Sequence, residues 1–273
     1  MAARPVVLSI AGYDPSSGAG VTADINTAAA LGCYAVTCLT ALTVQSTQGV
    51  FAVEPLAPKL VAHTLKVLAD DFPIDAVRLG MLGSGQTAEV VVDFLESRRP
   101  RHVVLDPVIR SSSGMPLIDP AGLKVIRQRL VGVCDVITPN VGEAALLTDS
   151  ETIPNNAPWD VVSPQLLVLA DNLHLLGAPA VVITGGHLDP PNDLLSYLQN
   201  GLRQEQVFPG ARIKSRATHG TGCAFATAVA CELALGRGLP EAVKAAKAFV
   251  RSAIEAAYPL GKGVGPMNHL FRR

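Results

Sequence analysis

The run Thr218-His219-Gly220-Thr221-Gly222-Cys223-Ala224-Phe225-Ala226 sets two glycines around a threonine and puts a cysteine directly after them. Paired glycines permit a tight turn, and the small residues that follow predict a closely packed helix from about Thr221 to Leu235. The unpaired N–H groups in the first turn of such a helix, with the positive end of its dipole, make an anion site. A phosphoryl group in transfer spreads negative charge over its oxygens, and fixed N–H donors stabilise that charge. The same residues also suit a plain glycine connector into a core helix, with Cys223 a small buried hydrophobe. Taken alone, they do not choose between the two. In the functional reading the dipole lowers the Cys223 thiol pKa, and the thiolate takes the proton of a substrate hydroxyl as that oxygen attacks phosphorus.

Other groups with chemical potential sit at expected strand ends. Asp106-Pro107 and Asn140-Val141-Gly142-Glu143 offer oxygen ligands that could hold Mg²⁺ against nucleotide phosphates, directly or through water. Singly, Asp before Pro is a common turn residue and Asn-x-x-Glu a common helix-capping pattern. The loop Gly12 to Gly20 lacks the Lys-Ser/Thr ending of a P-loop and does not fit GxGxxG. It could form one wall of a substrate pocket, followed by Asp24 on the first turn of the next helix. An ordinary helix-start acid is an equal reading of Asp24.

These residues need a scaffold that brings them together. Apolar runs of strand length alternate with helical segments along the 273 residues: strands at Val6 to Ala11, Tyr34 to Val44, Ala76 to Leu79, His102 to Leu105, Val133 to Ile137 and Ala180 to Thr184. Helices are expected at Val21 to Leu31, Ala57 to Asp70, Gln86 to Ser97, Gly122 to Leu130, Glu143 to Leu147, Leu166 to Leu176, Thr221 to Leu235 and Pro240 to Ala257. Gln45 to Gly49 reads as a polar exit loop, Pro154 to Pro164 as a proline-rich connector, and Leu194 to Tyr197 with Gln204 to Val207 as an edge pair. This alternation predicts one α/β domain over 1–273, a three-layer αβα arrangement around a doubly wound, mainly parallel sheet. Ligands of such sheets bind beyond the carboxyl ends of the strands, so the loops after Ala11, Val44, Leu79, Leu105, Ile137 and Thr184 are expected on one rim.

Composition narrows the partners. The net charge of −1 gives no field to attract nucleic acid or an anionic membrane, and Arg98-Arg99 and Arg272-Arg273 read as solvated surface and tail. The five cysteines contain no CxxC pair, as in a reduced cytosolic chain. The short apolar start lacks a signal-peptide pattern, and no stretch approaches the ~20 apolar residues of a membrane span. The expectation is a cytoplasmic protein.

Together the motifs resemble a known family. Val7 to Gly49, with Met81-Leu82, Asp106-Pro107-Val108, Thr138-Pro139-Asn140 and Glu143, Gly185-Gly186-His187, Thr218 to Cys223 and Gly261 to Pro266, follows in order the pattern of bacterial hydroxymethylpyrimidine/phosphomethylpyrimidine kinases of the ribokinase-like superfamily. The resemblance spans nearly the whole chain. It implies transfer of the ATP γ-phosphate to a pyrimidine hydroxymethyl group and then to its monophosphate, in thiamine biosynthesis. It implies further that Gln45 hydrogen-bonds the aminopyrimidine and that Gly12, Asp24, Met81 and Val108 line its pocket. Gly220, Thr221 and Gly222 would form the anion hole, with Cys223 at the position of the general base. Thr184 and Gly186 would face the ATP phosphates, and Asp106, Asn140 and Glu143 would serve Mg²⁺. Members are commonly dimeric, so a homodimer is expected.

Two positions depart from the family pattern. Thr184 replaces the usual lysine before Gly-Gly, so phosphate binding must rest more on Mg²⁺, His187 or the anion hole. Tyr13 and Ser17 replace a small residue and a glycine in the first loop. Thr184 keeps open a pyridoxine/pyridoxal kinase of the related cysteine-containing branch, whereas Gln45 favours the aminopyrimidine. A catalytically weak, ligand-sensing relative is the other alternative, opposed by retention of Cys223, Asn140 and Glu143.

Overall fold

The computed structural model describes residues 4–111 and 113–271; the tail pair Arg272-Arg273 lies outside them. A nine-stranded sheet runs in the order β3-β2-β1-β4-β5-β6-β7-β8-β9. The strands are β1 (Val6–Tyr13), β2 (Tyr34–Ser46), β3 (Gly49–Pro55), β4 (Ile74–Leu79), β5 (Val103–Leu105), β6 (Val136–Ile137), β7 (Ala180–Ile183), β8 (Asp193–Gln199) and β9 (Leu202–Phe208). The six central strands pair in parallel, and β3, β8 and β9 add antiparallel edges.

A parallel strand covered on both faces reads as a continuous apolar run, and β1 shows why. Val6, Leu8 and Ile10 pack on one face with residues of α2 (Pro58–Asp71), α3 (Gly85–Arg98), α6 (Val141–Thr148) and α7 (Trp159–Leu175). Val7 packs on the other face with residues of α1 (Gly20–Ala30), α8 (Thr221–Ala234) and α9 (Leu239–Glu255). Two apolar layers on either side of one sheet are the expected three-layer arrangement.

Several elements differ from the sequence expectation: strand Gly49–Pro55 is added, and the strand expected at Val133 to Ile137 shortens to Val136–Ile137 because Val133 is helical. Gln45 belongs to β2 rather than to an exit loop: it pairs with Val50 of β3, beyond a bulge between Val44 and Gln45. The proline-rich connector is shorter than expected, because Trp159 opens α7 and Pro164 lies inside that helix. The helix expected at Gly122 to Leu130 extends in both directions as α4 (Pro120–Val125), a π-helical turn (Ile126–Leu130) and α5 (Val131–Val133).

Candidate active site

Two helix N-termini meet at the rim. Gly220 is the N-cap of α8 in the left-handed region, with φ 77°, and it offers no side-chain cap. A Cβ there would lie 1.8 Å from the Gly18 carbonyl oxygen, so only glycine fits the approach of the two loops. α1 begins at Gly20, also without a side-chain cap and without an acid in its first turn. The loop between them is folded by Asp14. Its Oδ1 accepts from Ser16 N (2.8 Å) and Ser16 Oγ (2.7 Å), and its Oδ2 accepts from Gly18 N (3.2 Å) and Ala19 N (2.9 Å). His219 Nε2 lies 2.8 Å from the same Oδ2. Burial works to raise the Asp14 pKa, but hydrogen bonds from His219 and Ser16 outweigh it and hold the carboxyl below its usual range.

Beneath the turn lies a group that the sequence reading passed over. Arg78, the last residue but one of β4, is 0% exposed. Its Nη1 donates to Asp24 Oδ2 (3.1 Å) and its Nη2 to Asp106 Oδ2 (2.7 Å). Ser9 Oγ donates to Asp24 Oδ2 (2.5 Å) and Thr227 Oγ1 to Asp24 Oδ1 (2.7 Å). Asp24 is itself 0% exposed, so it does not line an open pocket; it reaches the site through Arg78. The sequence did contain a signal, an arginine at an inward position of an apolar strand, where an unpaired charge would be prohibitive.

Cys223 touches this cluster. Arg78, Asp106 and the Gly20 N–H at the start of α1 all act on its thiol. Burial pushes its pKa up to about 12; Arg78 and the Gly20 N–H pull down, while Asp106 and Asp24 push up. The thiol is therefore protonated at neutral pH, which corrects the expectation of a dipole-activated thiolate: desolvation and two carboxylates overrule the helix end. Burial also raises Asp24 and Asp106, with Arg78 opposing it in both.

Asn140 and Glu143 form a capping box on α6. Glu143 N donates to Asn140 Oδ1 (3.0 Å), and Asn140 N donates to Glu143 Oε2 (2.9 Å). Glu143 is only 9% exposed, and burial, then the charge of Asp106, raises its pKa well above the ordinary value. Among the described residues no three His, Cys, Asp or Glu side chains cluster to hold a metal directly. Thr184 bridges to Asn140 at the end of β7, its N–H donating to the Pro139 carbonyl (2.9 Å). The Gly186 carbonyl accepts from Arg212 Nη1 (2.9 Å), which brings a cation to the loop that lacks the usual lysine.

On the other side of the loop, Met81 packs with Ala41 and Leu117 against Val108, Val50 and Val53. A Cβ on Gly12 would lie 3.0 Å from Met81 Sδ, so Gly12 lets the Met81 thioether lie against the backbone. Gly12, Met81 and Val108 are thus brought together, and Gln45 stands on the adjoining β2, its Nε2 3.0 Å from His219 Nε2. Sequence reading missed the Asp14–His219 pair, since the two residues stand 205 apart.

A family model described as phosphomethylpyrimidine kinase matches residues 14–268. The chain is 40% identical over 268 residues to a thiamine biosynthesis bifunctional protein ThiED of Geobacter sulfurreducens, covering 98% of this chain but 53% of that protein. The chain therefore spans about half the length of that two-function relative. It is 39% identical over 258 residues to a hydroxymethylpyrimidine/phosphomethylpyrimidine kinase of Aquifex aeolicus, covering 94% of this chain and 97% of that one. Among solved structures, it superposes on an ADP complex of Bacillus subtilis pyridoxal kinase with a TM-score of 0.85 at 31% identity, covering 98% of each chain.

Proposed function

We infer the activity from one premise: the chain belongs to the phosphomethylpyrimidine kinase family. It is a phosphotransferase that moves the γ-phosphoryl group of ATP to the hydroxymethyl oxygen of 4-amino-5-hydroxymethyl-2-methylpyrimidine and then phosphorylates the monophosphate, in thiamine biosynthesis. The observation that carries this reading is the meeting of two uncapped helix N-termini at Gly220 and Gly20, beside Cys223, with Gln45 across the same loop. N–H groups at Gly220, Thr221 and Gly222 receive the charge that develops on the moving phosphoryl group. Gly12, Met81 and Val108 form the apolar wall of the pyrimidine pocket, and the Gln45 carboxamide reads the aminopyrimidine edge.

In this reading a protonated Cys223 takes part in proton transfer as a relay, not as a resident thiolate. The substrate O–H bond breaks and its proton passes to Sγ as the thiol proton moves to an Asp106 oxygen. The substrate oxygen bonds to the γ-phosphorus while the bond to the ADP leaving oxygen breaks. A phosphate monoester is already largely anionic near neutral pH, so the second transfer needs no such relay. Arg78 pairs with Asp24 and Asp106, and the Asp106 charge acts in turn on the buried Glu143; these oxygen groups suit a dication held through water by Asp106, Asn140 and Glu143. When bound, Mg²⁺ supplies neutralisation of the ATP phosphates. Thr184 and Gly186 border the nucleotide phosphates, with Arg212 as the nearby cation.

The single-domain reading of 1–273 is supported by the one continuous sheet. We assign a homodimer, supported by the exposed Leu42, Val44 and Phe51 on the β2–β3 hairpin. No helix of the described residues is long and apolar enough to cross a membrane, and five free cysteines suit a reducing compartment such as the cytoplasm. Thr184, where many family members carry lysine, favours a second reading as a pyridoxal kinase, the activity of the Bacillus subtilis structural relative. Kinetics with Mg-ATP on hydroxymethylpyrimidine, its monophosphate, pyridoxine and pyridoxal tests both. The first reading expects the highest kcat/KM on the two pyrimidines; a ratio favouring pyridoxine or pyridoxal overturns it, and absence of ATP turnover on all four points to a ligand-sensing protein.

A further inference from the structure

Proton counting around Gln45 gives a constraint that no single contact shows. As placed, Gln45 Oε1 lies 3.1 Å from Thr43 Oγ1, and Gln45 Nε2 lies 3.0 Å from His219 Nε2. Thr43 Oγ1 also lies 2.9 Å from the Tyr13 carbonyl oxygen, which can only accept. The hydroxyl has one proton, so it cannot serve both oxygens. His219 Nε2 has the matching conflict, since Asp14 Oδ2 is 2.8 Å away. Asp14 Oδ2 already accepts from Gly18 N and Ala19 N, and the carboxyl is held ionised, so the His219 nitrogen facing it must carry the proton. A protonated Nε2 cannot accept a hydrogen bond from an amide NH₂.

One rearrangement removes both conflicts. Exchanging the two ends of the Gln45 carboxamide lets its NH₂ donate to Thr43 Oγ1, whose own proton goes to Tyr13 O. Its Oε1 then shares the His219 Nε2–H with Asp14. The ends of a carboxamide are assigned by such partners. Every donor then meets an acceptor, and the amide keeps one N–H and one oxygen lone pair for a ligand.

We propose that Asp14 and His219 are positioning residues for substrate choice: the Asp14–His219–Gln45 relay fixes which end of the Gln45 carboxamide donates and which accepts at the substrate edge. An aminopyrimidine presents a ring-nitrogen acceptor beside an amino donor, so the order of the two amide groups decides whether it is recognised. The inference rests on the reading that Gln45 faces the substrate. Without the relay the amide is free to turn, and the reversed order sets donor against donor and acceptor against acceptor.

Two measurements test it. Nitrogen NMR of the ligand-free full-length protein is expected to show the His219 ring with Nε2 protonated; a neutral ring protonated on Nδ1 alone overturns the relay. This readout needs no substrate. In steady-state kinetics, His219→Ala is expected to raise KM for hydroxymethylpyrimidine by roughly tenfold or more, with KM for ATP changed less than about threefold. Thr43→Val, at a solvent-accessible strand position, is expected to raise the pyrimidine KM in the same direction by a smaller factor. His219→Gln, which can restore an N–H donor toward Asp14, is expected to recover part of the loss. An unchanged pyrimidine KM in both His219→Ala and Thr43→Val overturns the proposal. Wild-type protein inactive on the pyrimidine would instead sink the substrate reading, and the ring-nitrogen measurement would still decide the relay.

Discussion

Replacing Arg78 by methionine isolates the electrostatic centre of the fold. The side chain is 0% exposed and is shared between Asp24 (side chain 0% exposed) and Asp106 (7%) at 3.1 and 2.7 Å. With charge centres about 4 Å apart, an effective dielectric of about 20 makes each attraction worth about 4 kcal/mol gross. Most of that offsets the cost of burying the ions, so the net loss on deleting one partner is about 3–5 kcal/mol. For a chain of this size that corresponds to a fall in Tm of about 6–20 °C. The loss must also depend on pH. Without Arg78, burial loses its main opponent at Asp24 and Asp106, whose folded-state pKa values already lie above the ordinary 3.8. A carboxyl with a raised folded pKa favours folding most below its unfolded pKa, and that preference is lost as pH rises through the folded value. Urea denaturation of wild type and Arg78→Met at about pH 8 and about pH 5 should therefore show the larger gap at the higher pH. Adding Asp24→Asn to the variant should recover part of the loss, because the orphaned charge is removed. A loss below about 1 kcal/mol, or one equal at both pH values without recovery by Asp24→Asn, refutes the reasoning.

Four further outcomes follow from the site. Cys223, with its thiol pushed up to about 12, should react slowly with iodoacetamide at neutral pH and faster with every rise in pH; a plateau near pH 7 in mass-spectrometric labelling would contradict this. Cys223→Ala should slow the first phosphoryl transfer more than the second in single-turnover assays, and equal losses would remove the relay role. Gly220→Ala, forced to a φ of 77° with a Cβ 1.8 Å from Gly18 O, should lose about 10²-fold or more in kcat and show a lower Tm; near-wild-type turnover would exclude the turn as the anion hole. Thr184→Lys should tighten binding of a non-hydrolysable ATP analogue by roughly three- to tenfold in calorimetry, and unchanged affinity would show that Arg212 or the helix ends already suffice.

Several of these features were legible along the chain. The apolar run of β1, the small-residue helix after Gly222 and the Asn140–Glu143 capping pattern are local, and each formed where expected. Edge strand β3 was not legible, because the polar stretch Gln45 to Gly49 read as an exit loop and hid the tight link from β2 into Gly49–Pro55. Pro164 suggested a connector, yet tertiary packing of Leu166, Leu169 and Leu173 carries α7 through it. Arg78 went unread because its partners lie 54 and 28 residues away.

The sequence by itself determined the alternation of the buried strands and helices and the tight glycine turn at Gly220, because periodicity, capping and backbone freedom act within a few residues. Only the tertiary structure decided where protons and charges reside. The Cys223 thiol stays protonated because burial, with Asp106 at the end of β5 and Asp24 on α1, outweighs the opposing pull of Arg78 on β4. Desolvation and Coulomb attraction depend on distances in space, and residues such as Asp24 and Thr227, 203 apart in the chain, acquire them only when the sheet and its helices have packed.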